Sequence, residues 1–357
     1  MKSHCIKNSF ICILFIFALA SCSATKDLPK IKVLSVERVF HNGEHNAFTD
    51  LCKFNGQYYL AFRSCPDGHM LFTSSSLIVL TSKDGKDWEQ VHQFSVPNRD
   101  VRDAHFLVFK DKLFVYTGTW YCESPNPDSN LRDINQHLGY CAWSTDGEKW
   151  TSPVMLEGTY GHYIWRAASH GDKAYLCGRR KHEFREMPRN DESRRITESV
   201  MLESDDGIIW KKAGLFQEET GDETAFLFEP DGSVLAIARR GRDNAEVCRS
   251  KPAYQDWDRT ELDRYIGGPM VIKWHGHYLV GGRKMINEGP RTTVLYWLTD
   301  NKIIECAEFP SGGDNSYPGF VELSKNRALV SYYSSHEKDK DGKPITAIYL
   351  ATIELQE

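Results

Sequence analysis

The two common zinc spacings, Cys-x-x-Cys and His-Glu-x-x-His, are missing from this chain, so no metal site and no cofactor are expected. Long helical periodicity is also missing from Ile31 onward, which excludes helix bundles and alternating strand–helix layers. There is no basic excess: 44 Lys and Arg face 49 Asp and Glu, for a net charge of −5, which argues against a nucleic-acid surface. No apolar run is long enough to span a membrane, and no domain boundary or low-complexity tract interrupts the sequence. Cysteine is not scarce, with ten in all, but its count and irregular spacing argue against a dense disulfide framework.

Residues 1–21 read as a targeting segment. Lys2 and Lys7 make a basic start, and Phe10 to Ala20 is a short apolar run. Leu19-Ala20-Ser21-Cys22 resembles the bacterial lipobox, which implies that Cys22 carries lipid and heads the mature chain. The alternative is an ordinary cleaved signal peptide. Losing Lys2 and Lys7 would move the net charge from −5 to −7. Losing Cys5 and Cys12 and lipidating Cys22 would leave seven thiols, an odd number. Cys52, Cys177 and Cys248 sit in apolar runs and read as small core residues. Residues 22–30 form a short tether. The expected location is the bacterial cell envelope, as an outer-membrane lipoprotein that touches the membrane only through its anchor.

From Ile31 to Glu357, Val, Ile, Leu, Phe and Tyr cluster in runs of four to eight, bounded by Gly, Asp, Asn and Pro. Six hairpins can be laid over one another. They run from Asn46 to Arg63, Arg102 to Trp120, His162 to Arg180, Asp222 to Arg240, Gly267 to Arg283 and Asn315 to His336. Turns at Asn55-Gly56, Asp231-Gly232 and His275-Gly276 carry residue types that tight turns prefer. A repeat of about 45–60 residues selects a propeller, in which no unit can bury both faces alone. The expectation is an all-β, six-bladed propeller over residues 31–357, or a seven-bladed one if two units have been merged. Ile31 to Val39 should close the ring against Ala347 to Leu355, leaving only short strand edges. Tyr121 to Gln136, Glu183 to Arg195 and Glu337 to Thr346 read as polar loops.

A second signal repeats outside the hairpins. Ser82 to Trp88, Ser144 to Trp150 and Ser204 to Trp210 share Ser-x-Asp-Gly-x-x-Trp. Asp-Gly makes the turn, the Ser and Asp side chains bond its backbone, and the Trp packs beneath it. This pattern resembles the Asp-box of the sialidase superfamily, one residue shorter than its usual form. The resemblance implies a propeller fold with the boxes away from the catalytic face.

Equivalent strand ends converge around a propeller axis, so Arg63, Arg179, Arg239 and Arg283 should ring one mouth. Arg102, Arg166 and His336 share those edges, as do the aromatics Trp120, Tyr121, Tyr163, Trp165, Tyr317, Tyr332 and Tyr333. Like charges gathered there need an anion or acidic neighbours; Asp103, Asp222, Glu223 and Asp314 are placed to supply the latter. Arginine beside aromatic rings suits a sugar bearing an acid group. The expected partner is therefore an acidic oligo- or polysaccharide, bound by a monomer.

The sialidase resemblance implies three arginines on a carboxylate, a Tyr–Glu nucleophile pair and an Asp acid. Asn46 to Leu51 lacks the first arginine, whereas Asn315-Ser-Tyr-Pro318 resembles the late tyrosine segment, with Tyr317 in the nucleophile's place. Asp50 and Asp103 are both candidates for the acid. A second chemistry also fits these residues. β-Elimination from a uronate needs a cation on the carboxylate, a base for the C5 proton and an acid for the leaving oxygen. Arg179, with His105 and Tyr163, resembles the set that propeller-fold polysaccharide lyases, including ulvan lyases, use. The leading expectation is thus an exported carbon–oxygen lyase on uronate-containing glycans, with sugar or water as leaving group. The rivals are a sialidase-like exo-glycosidase and a non-catalytic glycan-binding propeller.

Overall fold

The computed structural model describes Met1 and residues 28–122, 133–187, 190–285 and 291–356. Six four-stranded antiparallel sheets follow one another around a ring. The strand β1 (Lys30–Phe40) precedes the first blade, made of β2 (His45–Phe54), β3 (Gln57–Cys65), β4 (Ser76–Ser82) and β5 (Glu89–Phe94). The second blade is β6 (Arg99–Phe109), β7 (Lys112–Tyr121), β8 (Leu138–Ser144) and β9 (Val154–Met155). The third is β10 (Tyr163–His170), β11 (Lys173–Lys181), β12 (Thr197–Ser204) and β13 (Lys211–Gln217). The fourth is β14 (Thr224–Phe228), β15 (Val234–Arg240), β16 (Asp243–Ser250) and β17 (Trp257–Glu261). The fifth is β18 (Gly267–Trp274), β19 (His277–Lys284), β20 (Thr292–Thr299) and β21 (Lys302–Phe309). The sixth takes β22 (Asn315–Ser324), β23 (Arg327–Lys338) and β24 (Pro344–Gln356) from the end of the chain, with β1 on its outer edge.

Burial explains the residue choice. Strands β3 and β4 are buried along nearly their whole length because both of their faces meet a neighbouring blade, and their sequences, QYYLAFRSC and SLIVLTS, are almost continuously apolar. Outer strands such as β5 and β21 expose much of their length and carry Glu, Gln, Lys and His. Ring closure pairs Ile31 with Leu355 and Val33 with Ile353. Cys52, Cys65, Cys141, Cys177, Cys248 and Cys306 are free thiols, and most are buried among apolar side chains.

The repeated boxes fold as local turns. The Ser82 hydroxyl accepts from the Gly85 N–H at 2.9 Å, and Asp84 accepts from the amides of Lys86 and Asp87 at 2.9 and 3.1 Å. Trp88 Nε1 donates to the Gly85 carbonyl at 3.3 Å. The boxes sit against the inner hairpin turns: Asn55 donates to Thr145 O, and Lys110 to Asp205 O. They therefore lie at the end of the ring opposite the starts of the inner strands. The fourth blade holds a degenerate box with no Asp-Gly. There Tyr254, at φ 61°, takes the glycine's place and its carbonyl accepts from Trp257 Nε1 at 2.9 Å.

Two of the segments read as loops carry more structure. Asp191–Arg195 is a one-turn helix, capped by the Asn190 side chain on the Ser193 N–H. Glu337–Thr346 is largely the extended tip of the β23–β24 hairpin, with Glu337 paired to Ile345. Alternating polar residues hid this strand because it projects beyond the blades and buries neither face. The targeting segment, Cys22 and most of the tether lie outside the described residues.

One irregularity sets up the centre. In five of the six inner hairpins, two residues of the first strand face one of the second. These bulges fall at Phe48-Thr49, Arg102-Asp103, Trp165-Arg166, Gly268-Pro269 and Tyr317-Pro318, at nearly the same distance from each hairpin turn. A bulge re-aims the side chains beside it. Phe48 and Tyr317 are held at φ 63° and 56°, in the left-handed region that large residues avoid.

Candidate active site

The inner strands open into a cavity of about 340 Å³ lined by Phe48, His69, Arg102, Asp103, Trp120, Tyr163, Arg179, Glu223, Arg239, Arg283, Asp314, Tyr317 and Tyr333, among others. Its floor is the bulge residue Tyr317. The Tyr317 hydroxyl donates to Glu223, whose other carboxylate oxygen accepts from Arg239 at 2.7 Å and from the Gly268 N–H at 3.1 Å. Gly268, at φ 59°, is required there: a Cβ would lie 2.6 Å from the Tyr317 ring. Burial alone would raise the Glu223 pKa, but the Arg239 charge and the Tyr317 hydrogen bond outweigh it and hold the carboxyl at about 2. Burial, and then the Glu223 charge, push the Tyr317 hydroxyl well above its ordinary range. The pair is thus a neutral phenol aimed at a carboxylate that stays ionised.

Asp103, at the second blade's bulge, accepts from the Tyr163 hydroxyl. Burial and repulsion from Glu223 push its carboxyl up to about 6. Two carboxyls in one cavity are therefore shifted in opposite directions, a pattern that in enzymes separates an acid from a base. Tyr163 itself is pushed well above its usual value by burial and by the Asp103 charge.

Five arginines line the cavity, the exposed Arg291 and four that are more enclosed. Arg179 pairs with Asp222 and lies over the Tyr163 ring, 5.2 Å from its centre. Arg239 pairs with Glu223. Arg283 is 3.8 Å from Asp314, and its Nε has no partner among the described residues. Arg102 is tied to Asp100 at 2.9 Å and stacks over Phe48 at 4.8 Å. The first blade offers no arginine here, since Phe48 occupies that position; Arg102 reaches in from the next blade instead. Of the four arginines expected to ring one mouth, Arg179, Arg239 and Arg283 lie on this cavity, each beside a carboxylate: Asp222, Glu223 and Asp314 respectively.

Other expected residues are placed elsewhere. Arg63 is fully buried behind the cavity, bound to Asp100 at 2.9 Å and to the carbonyls of Gly68, Met70 and Val101. It fastens the first blade to the second. Arg166 likewise spans the ring interior, donating to Asp50 at 2.7 Å and to the carbonyls of Pro269 and Pro318. This occupies Asp50, which also accepts from the Phe106 N–H. His336 packs on Tyr349 at 4.8 Å and meets Ser334, away from the cavity. His105 is also a correction. It is 2% exposed, its ring lies edge-on to Trp165 at 5.0 Å, and burial lowers its pKa to about 4. Strict alternation would put Asp103 and His105 on one face; the Arg102-Asp103 bulge breaks it, and only Asp103 reaches the cavity. Among the aromatics, Trp120, Tyr163, Tyr317 and Tyr333 line the cavity, whereas Trp165 and Tyr332 are core.

At the rim, one Asp314 oxygen accepts from His45 at 2.9 Å and His69 at 2.7 Å, and the other from Tyr333 at 2.9 Å. Ligand atoms of His45, His69 and Asp314 lie within 4.8 Å of one another, a set that could hold a metal ion. No spacing in the sequence signals it, because His45 and His69 come from a strand and a loop of the first blade and Asp314 from the start of the sixth. The Tyr317–Glu223 pairing was equally hidden: Glu223 reads locally as a partner for an arginine.

No protein-family model matches this chain, and no curated protein matches it. Solved structures do. A Dyadobacter fermentans protein of unknown function aligns with a TM-score of 0.75 at 22% identity, over 92% of this chain and 100% of its own. A Trypanosoma rangeli sialidase in complex with 2,3-difluoro-KDN aligns at 0.62 and 15% identity, over 89% of this chain. The chain spans about half that sialidase's length, 54%. A phage phi92 endosialidase aligns at 0.62 and 8% identity, over 90% of this chain and 69% of its own. At such identities the likeness establishes the fold, a six-bladed propeller of the sialidase type. A likeness to ulvan lyases is not shown.

Proposed function

We propose that the protein is a glycosidase that removes a terminal acidic sugar, with sialosides the first candidates. One observation carries this reading: the Tyr317–Glu223 pair lies among arginines in the same cavity as Asp103, whose carboxyl is raised toward neutrality. Arg239, Arg283 and Arg102 would hold the sugar carboxylate. Asp103 gives its proton to the leaving oxygen as the glycosidic carbon–oxygen bond breaks. The Tyr317 oxygen attacks the anomeric carbon and passes its proton to Glu223. Ionised Asp103 then takes a proton from water as that water attacks the same carbon. The Tyr317 oxygen leaves and regains its proton from Glu223. Two displacements retain configuration, and sialidases with a tyrosine nucleophile are a known departure from the two-carboxylate pattern. A neutral phenol suits an anomeric centre that bears a carboxylate, because a carboxylate nucleophile would be repelled.

Elimination is less favoured, since its proposed base, His105, is sealed beneath the cavity. A lipid anchor on Cys22 would place the enzyme in the envelope, where it meets glycans. The test uses 2,3-difluorosialic acid, whose complex with the trypanosomal sialidase is described as a covalent intermediate. The expected result is a mass increase on the peptide carrying Tyr317, together with a saturated product from an aryl sialoside. An unsaturated product from any acidic glycan would return the elimination reading.

A further inference from the structure

Beside the catalytic cavity lies a larger one, of about 580 Å³, and the two share Trp120, Arg179 and Arg239 as a common wall. Seven cationic side chains and three carboxylates line the larger cavity, against the acidic balance of the whole chain. Most of those cations have partners: Lys181 meets Asp133 at 3.4 Å, Arg194 meets Asp191 at 3.4 Å, and Arg240 meets Glu261 at 3.0 Å. Arg195, at the end of the short helix, and Arg242, in the turn after β15, are different. Both are exposed, and neither has a carboxylate within ion-pair distance among the described residues. Two unpaired guanidiniums facing one concave space form an anion-attracting surface that the protein itself does not neutralise.

We propose that this cavity is the subsite for the leaving group, and that it takes a sugar carrying its own carboxylate or sulfate. The substrate is then an oligosaccharide with two neighbouring acidic sugars. The first sits over Tyr317 and the second between Arg195 and Arg242, with Trp120 as the apolar wall between them. The direction of the chain follows from connectivity: a sialic acid carries its carboxylate on the anomeric carbon, so its scissile bond lies at the end the arginines hold, and the adjoining cavity is where the departing portion extends. The assignment of this cavity to a leaving group rests on the glycosidase reading; the anion site itself does not.

Two measurements on the full chain keep these apart. In the first, inorganic sulfate replaces chloride at constant ionic strength, and the thermal midpoint is followed. Sulfate should raise it in the parent and in Tyr317→Phe, and by less than half as much in Arg195→Ala/Arg242→Ala. An equal rise in the double variant overturns the proposal. In the second, kinetics are compared on an α2,8-linked N-acetylneuraminic acid dimer and on sialyllactose, which puts a neutral sugar in the second position. The double variant should raise KM for the dimer about tenfold and leave sialyllactose unchanged. A 6-sulfated sialyllactose that shows the same KM effect while the dimer does not assigns sulfate as the recognised group. Equal effects on all three substrates, or none on any, overturn the subsite. Failure of the parent to cleave any sialoside, with the sulfate difference intact, discards the glycosidase reading and leaves an anion site.

Discussion

Replacing Tyr317 with Phe separates chemistry from binding. The ring stays over Gly268 and keeps its left-handed backbone, so only the hydroxyl is lost. Glu223 is not orphaned, because it still accepts from Arg239 at 2.7 Å and from the Gly268 N–H at 3.1 Å. One hydrogen bond lost at an ionised carboxylate that keeps two other donors should cost about 1.5–3 kcal/mol of stability. Binding of a carboxylate-bearing ligand should change by less than about threefold, since the arginines are untouched. Turnover should fall by at least about 10²–10⁴-fold, or about 2.7–5.4 kcal/mol of transition-state stabilisation. The assay pairs single-turnover hydrolysis of an aryl sialoside with calorimetric affinity for a 2,3-unsaturated sialic acid analogue. Turnover within about fivefold of the parent at unchanged affinity would remove Tyr317 from the chemistry and refute the nucleophile assignment.

The pH dependence follows from Asp103. Its carboxyl, pushed up to about 6, must be protonated to act as acid, so kcat/KM should be full below that value and decline as pH rises through it. The Tyr163 hydrogen bond lowers the Asp103 pKa, so Tyr163→Phe should shift this decline to higher pH; a shift downward would contradict the placement of the bond. Arg63→Ala leaves Asp100 buried without one of its cations, and should cost about 3–5 kcal/mol in chemical denaturation. By contrast, Arg283→Ala should chiefly weaken binding of a carboxylate-bearing ligand; a larger loss of stability in Arg283→Ala than in Arg63→Ala would reverse the roles given to them. Cys22→Ser should move the protein from the membrane to the soluble fraction, as fractionation and immunoblotting would show; unchanged partition would refute lipidation at that residue.

What the sequence determined by itself was the ring. Burial on both faces of the inner strands demands apolar runs, and tight turns demand Asn-Gly or Asp-Gly, so hairpin positions, blade number and ring closure are written in local composition. Three of the four ring arginines were legible because a repeat position predicts a common face. What only the tertiary structure decided was which side chains enter the cavity and with whom they pair. The inner-strand bulges leave no local mark, yet they re-aim Asp103 and Tyr317 into the cavity while His105 is buried beneath it. Arg63 and Arg283 end similar strands, but Asp100 draws the first into the core whereas Asp314, engaged with His45, His69 and Tyr333, leaves the second at the cavity. The pairing of Glu223 with Tyr317 joins residues 94 positions apart, on the fourth and sixth blades. Such contacts depend on how blades meet around the axis, and no periodicity within a blade encodes that meeting.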